Sequence, residues 1–261
     1  MAQSEAHLLV ERAEELRRLH VPGHPLVLPN GWDAASARAI EGAGFEAVAT
    51  SSAAIAASLG YADGEAAPVD EMIAAVGRLV RAVEIPVTVD LEAGYGLRAA
   101  DLVDALLRTG AVGCNVEDTD HRTGELVDAE TQAERIGEIR AAAAAAGVEI
   151  VINARVDVFE RDLPREHQVV EAVSRGRRYL AAGADCVYPI MAADEATIAD
   201  LVAGIPGPVN IYARPEAPRI PRLVELGVAR VSYGPWIHRL AMRGVVRALE
   251  RIRDGEDPYT A

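Results

Sequence analysis

Short apolar runs recur along the chain, each ending in polar residues and each followed by a segment of helical length, and this alternation limits the folds open to it. Leu26 to Asn30, Ala47 to Ser51, Val87 to Val89, Val112 to Asp118, Glu149 to Val156, Asp185 to Ile190, Pro208 to Ala213 and Arg230 to Tyr233 read as strands, being rich in β-branched residues and punctuated by Pro and Gly. Helical periodicity lies between them at Val69 to Val83, Arg98 to Thr109, Ala129 to Ala146 and Arg165 to Ala182. Further helices are expected at the amino terminus, after Asp33, and from Trp236 to Arg253. Eight strands alternating with helices predict an α/β fold, a (β/α)8 or TIM barrel rather than a doubly wound sheet. With half of its residues hydrophobic and only 4% aromatic, the chain suits helices packed around a Val-rich parallel sheet. A single domain over residues 1–261 is expected.

The ends of the strands carry the chemistry. In PVTVDLEAGYG a buried strand closes in Asp90 and Glu92 before the turn at Gly94 and Gly96. The next strand closes in Glu117 and Asp118, and the one after carries Arg155 and Asp157. An apolar strand gains nothing from ionised ends unless a ligand, metal or counter-charge meets them. Three such ends imply one shared site, at the face where barrels place their active centres. The run TSSAAIAASLG has small side chains and open backbone N–H groups; it reads equally as an anion cradle or as a tightly packed helix start. Tyr188, Asn210, Tyr212 and Arg214 fall near later strand ends and could shape a pocket.

The net charge of −14 opposes binding to nucleic acid or to an anionic membrane surface, and no apolar run approaches the roughly 20 residues that span a bilayer. The opening MAQSEAHLLVERAEELRRLH is amphipathic and charged, unlike a signal peptide, so a soluble cytoplasmic protein is expected. Cys114 and Cys186 fall inside strands and match no zinc spacing; they read as small buried hydrophobes.

Taken in order, LPNGWDAASAR, TSSAAIAASLG, VDLEAGYG, VEDTD, INARVD and GVARVSYGP resemble the isocitrate lyase / phosphoenolpyruvate mutase superfamily over nearly the whole chain. The resemblance implies a modified (β/α)8 barrel whose C-terminal helix is exchanged between subunits of a homodimer or homotetramer. It also implies Mg2+ or Mn2+ and a small anionic carboxylate substrate, a 2-oxo acid or its enolate. On this resemblance Asp90 is the principal metal ligand, Glu92 reaches the metal directly or through water, and Glu117 is a further acid of the metal shell. Asp63 belongs to the metal-water shell, Arg155 binds the substrate carboxylate and oxyanion, and Ser51, Ser52 and Ala53 hold the substrate carboxylate. Asn210 and Arg214 join them as substrate-binding candidates.

The departures narrow the reaction. Isocitrate and methylisocitrate lyases carry a KKCGH loop, whereas Thr119 to Gly124 here reads TDHRTG, and the EDK...NS pattern of phosphonate-forming mutases is absent too. His121 is the one residue of this loop that titrates near neutral pH, which makes it the catalytic acid or base candidate beside Arg155 and Glu117. The segment Glu117 to Asp128, with mixed charge and Gly124, is expected to be a mobile lid. The leading expectation is a Mg2+-dependent carbon–carbon lyase or decarboxylase acting on a small 2-oxo or 2-hydroxy dicarboxylate through a metal-bound enolate. The alternatives are a phosphonopyruvate-type C–P hydrolase or mutase, and a catalytically silent barrel that binds a 2-oxo acid.

Overall fold

Pro29 divides the first strand. In the computed structural model of the protein, which describes residues 3–259, β1 (Leu26–Leu28) and β2 (Asn30–Gly31) flank this proline, which has no N–H to continue a ladder. Residues 1, 2, 260 and 261 of the expected domain lie outside the described residues. The remaining strands are β3 (Val48–Thr50), β4 (Val87–Asp90), β5 (Gly113–Glu117), β6 (Thr119–Asp120), β7 (Glu125–Leu126), β8 (Val151–Val156), β9 (Cys186–Pro189), β10 (Asn210–Tyr212) and β11 (Arg230–Ser232). Helices α1 (Gln3–Arg18), α2 (Ala34–Gly42), α3 (Ser52–Leu59), α4 (Val69–Val80) and α5 (Ala99–Thr109) belong to the first half. Helices α6 (Ala129–Ala145), α7 (Arg165–Ala181), α8 (Glu195–Gly204), α9 (Ile220–Glu225) and α10 (Trp236–Arg253) complete the chain.

The parallel pairings run round a circuit. β2-β3-β4-β5-β8-β9 form one sheet and β1-β11-β10 another. The segment holding β1 and β2 belongs to both, and a parallel bridge between Val187 and Val209 joins them on the far side. Asn30 stitches the first seam: its Nδ2 donates to the Thr50 carbonyl at 2.7 Å, and its Oδ1 accepts from the amides of Tyr233 and Gly234, each at 2.8 Å. The strands are buried on both faces, as a sheet covered by crossover helices requires. One hydrophobic cluster extends from Leu9 on α1 to Val231 on β11.

Two expected features take definite form. Glu117 to Asp128, expected to be a mobile lid, contains an antiparallel hairpin, β6 with β7. Arg161 ties it down, donating to Thr119 Oγ1 at 2.8 Å and to the Gly124 carbonyl, while Val127 N donates to the Asp118 carbonyl at 2.8 Å. The hairpin is held through backbone and hydroxyl groups and by Leu126, which packs against the core. The other is α10, in which no residue is buried. Leu240, Val245, Val246, Leu249 and Ile252 are between 46% and 58% exposed, so the chain's own barrel does not cover the apolar stripe read from the sequence.

Candidate active site

Asp90 ends β4 at the carboxyl edge of the sheet, where Thr50 Oγ1 accepts its amide at 2.9 Å. Ser52, at the start of α3, donates to Asp90 Oδ2 through its amide at 3.1 Å and its hydroxyl at 2.9 Å. The small-residue run therefore begins a helix whose first polar groups fix an acid, and Ser51 caps it by accepting from Ala54 N at 3.4 Å. Ser52 Oγ also lies 3.2 Å from Asp63 Oδ1. Burial, and next the charge of Asp90, push the Asp63 carboxyl up from its ordinary value. Asp90 Oδ1 is buried and has no partner.

Glu92 takes a different direction. Its backbone is left-handed, with φ of 51°, and its carboxylate is engaged by the Tyr95 hydroxyl and by the amide of Glu65 at 2.5 Å. Arg135 closes over this turn, donating to the Ala93 carbonyl at 3.0 Å. Gly94 has a φ of 96°, a left-handed backbone in which any side chain would be strained.

Glu117, buried at the end of β5, touches Arg155 Nη1 on one side and His121 Nε2 on the other. Burial pushes the Glu117 carboxyl up, while the Glu117 contact raises the His121 imidazole to about 9. Arg155 Nε donates to Asp157 Oδ1 at 2.6 Å, and its Nη2 is 3.8 Å from Glu160 Oε2. Acids thus fix the guanidinium before any ligand arrives.

Two adjoining cavities meet at Ser52, Asp63, Arg155 and Glu160. The first, of about 330 Å³, is walled by Ser51, Ser52, Ala53, Asp63, Asp90, Arg155 and Arg214, with Asn30, Asn115, Tyr188, Tyr212, Trp236 and Arg239. The second, of about 270 Å³, holds Glu92, Glu117 and His121. Of the four expected metal-shell acids, Asp90 lines the first cavity, Glu92 and Glu117 the second, and Asp63 both. Among the described residues no group of three or more His, Cys, Asp or Glu is arranged to hold a metal ion. The donor set nevertheless fits Mg2+, which binds through one or two carboxylates and keeps several waters. The orphaned Asp90 oxygen is free to be the direct donor for such an ion.

Of the substrate-binding candidates, Ser51, Ser52, Ala53, Arg155 and Arg214 line the first cavity, but Ser52 already uses its amide and hydroxyl on Asp90. Asn210 does not line it; fully buried on β10, it accepts from Ser232 Oγ at 3.3 Å. Sequence reasoning missed Asn30, Asn115, Glu160, Trp236 and Arg239. Polar residues inside apolar strands were the available signal for the asparagines, and the i, i+3 spacing of Trp236 and Arg239 at the start of α10 was the signal for that wall.

Other acids at the strand ends prove structural. Asp118 turns away and accepts from Asp157 N at 2.8 Å, the Tyr179 hydroxyl at 2.7 Å and Arg175 Nη1 at 3.0 Å. Asp157 receives Thr119 Oγ1 at 2.5 Å as well as Arg155. Cys114 and Cys186 are buried, and burial pushes both thiols up to about 12.

The fold is a parallel α/β barrel whose carboxyl edge brings arginines and clustered acids together. The chain belongs to the isocitrate lyase / phosphoenolpyruvate mutase superfamily: the family model for phosphoenolpyruvate phosphomutase matches residues 16–253. A provisionally named phosphonomutase from Burkholderia cenocepacia J2315 is 42% identical, with a TM-score of 0.87 over 92% of this chain and 99% of that one. An uncharacterized protein of Mycobacterium tuberculosis is 34% identical over 91% of this chain and 88% of its own. A probable 2-methylisocitrate lyase of Corynebacterium glutamicum is 30% identical over 88% of this chain and 78% of its own.

Proposed function

We propose that this chain is a lyase that cleaves the carbon–carbon bond next to the carbonyl of a small 2-oxo or 2-hydroxy dicarboxylate, with oxaloacetate-like decarboxylation or retro-aldol cleavage as its forms. The observation that carries the reading is the 330 Å³ cavity, lined by Arg155, Arg214 and Arg239 together with Asp90, one of whose carboxylate oxygens is buried and unpartnered. Its volume lies at the small end of ligand sites, and its arginines match carboxylates.

Mg2+ or Mn2+ would be held by Asp90, with Asp63, Glu92 and Glu117 acting through water, and would supply Lewis-acid stabilisation of the charge developing on the carbonyl oxygen. Arg155, fixed by Glu117 and Asp157, holds a carboxylate and the developing oxyanion without reorganising. Ser51 and Ala53 face the same space from the start of α3. When the bond breaks, its electron pair moves onto the carbonyl oxygen, and the carbon must then take a proton. The His121–Glu117 pair beside Arg155 offers a proton source on the second cavity. His121→Gln should lower turnover by roughly 100-fold with a smaller effect on binding; unchanged turnover removes that role.

Phosphonopyruvate-type C–P cleavage is the second reading, favoured by the 42% identity to the Burkholderia cenocepacia protein. NMR of a panel with Mg2+, comprising oxaloacetate, phosphonopyruvate, isocitrate, methylisocitrate and substituted malates, separates the readings. Pyruvate with CO2 from oxaloacetate, glyoxylate with succinate from isocitrate, or pyruvate with a second carboxylate from methylisocitrate or a substituted malate supports the lyase; pyruvate with phosphate supports C–P hydrolysis; no product from any of them supports a silent binder.

A further inference from the structure

Arg230, on β11, is fully buried inside the barrel and has no carboxylate partner among the described residues. Its Nη1 lies 3.5 Å from His20 Nε2, and its Nη2 donates to Asn115 Oδ1 at 3.3 Å. His20 Nδ1 lies 2.8 Å from the Leu16 carbonyl and must donate to it, so Nε2 is left as the acceptor that a guanidinium needs. The cation is thus solvated by an imidazole and an amide, both neutral.

That arrangement decides which way Asn115 points. A guanidinium has donors only, so the Asn115 atom facing Arg230 has to be oxygen. The same oxygen accepts from Asn153 Nδ2 at 2.7 Å. With Oδ1 engaged twice from below, the amide nitrogen of Asn115 is turned to the other side, where the residue lines the 330 Å³ cavity. Asn115 is also the register partner of Asp90 across the β4–β5 ladder.

We infer that Asn115 is a substrate-binding residue whose Nδ2 donates to an oxygen of the substrate's 2-oxo carboxylate end, and that Arg230 is the positioning residue that holds the amide in that sense. This inference rests on the dicarboxylate reading of the site. Asn115 then selects a ligand with an acceptor oxygen over one with a donor nitrogen, and Arg230 adds an unneutralised positive charge beneath a site crowded with acids.

The test is calorimetric titration of the protein in Mg2+ with oxalate and with its monoamide, oxamate. The wild type is expected to prefer oxalate. Asn115→Asp places an acceptor in the cavity and a carboxylate against Arg230, so it should fold at least as stably, bind oxalate roughly 100-fold more weakly and bind oxamate in preference. Asn115→Ala should weaken oxalate by at least roughly tenfold. Arg230→Met should also weaken oxalate, and the double variant should bind no more weakly than Asn115→Ala alone, since the arginine acts through the amide. Both Asn115 variants binding oxalate as the wild type does would overturn the contact. An Arg230→Met protein with lowered Tm but unchanged oxalate affinity would overturn the positioning role. A wild type that binds neither probe would remove the dicarboxylate reading and this inference with it.

Discussion

Ser52 donates twice to Asp90, by its amide and its hydroxyl, and both bonds end on Oδ2. Oδ1 is consequently left buried and unpartnered on the cavity side of the carboxylate. Asp90→Ala should reduce Mn2+ affinity by more than roughly 100-fold while the barrel stays folded, and Ser52→Ala, which only loosens the carboxylate, by roughly tenfold. Calorimetry giving equal Mn2+ affinity in Asp90→Ala and wild type contradicts the assignment.

Asn30 joins the two sheets with three short hydrogen bonds. Asn30→Leu keeps the volume but leaves two amides and a carbonyl without their partner, at a cost of about 3 kcal/mol. Denaturant unfolding should show the midpoint lowered with the slope unchanged; an unaltered midpoint means that the seam is held elsewhere.

His20 gives stability a pH dependence of known sign. Burial, and then the Arg230 charge, lower its pKa from 6.5 to about 4. The unfolded chain therefore binds the extra proton between these values, so the neutral imidazole's contribution is complete above pH 6.5 and is lost as pH falls towards 4. Between pH 7 and 5 this one group should account for about 2 kcal/mol of lost stability. His20→Gln should flatten that part of the Tm profile; a profile parallel to the wild type excludes the role.

The strand–helix alternation was readable because a barrel strand must be apolar on both faces, and ionised residues at its ends stand out against that pattern. What could not be read was direction. Glu117 and Asp118 are sequence neighbours, yet one faces Arg155 and the other a Tyr179–Arg175 network, since alternate residues of a strand point to opposite sides. Asn115 and Asn210 differ in the same hidden way, one on the cavity wall and one below it. The hairpin at 119–126 depends on Arg161, some 40 positions distant in sequence and invisible to local pattern.

The uncovered stripe on α10 should be covered by a second copy through exchange of this helix, giving a dimer or tetramer. Burying the remaining exposed half of each Leu, Val and Ile side chain contributes about 1 kcal/mol, enough for several together to drive association. Light scattering should report a multiple of the chain mass, and Leu240→Glu with Leu249→Glu should reduce it. A species of 27.7 kDa at micromolar concentration rules out the exchange.

The most direct test of the proposed chemistry is 13C NMR of labelled oxaloacetate with Mg2+, comparing wild-type protein, Asp90→Ala and Arg155→Lys against the protein-free rate. The account predicts pyruvate and CO2 above background for the wild type, with both variants at least roughly 100-fold slower because one loses the cation's direct donor and the other the fork that holds the oxyanion. Acceleration by Asp90→Ala and Arg155→Lys equal to that of the wild type would contradict it.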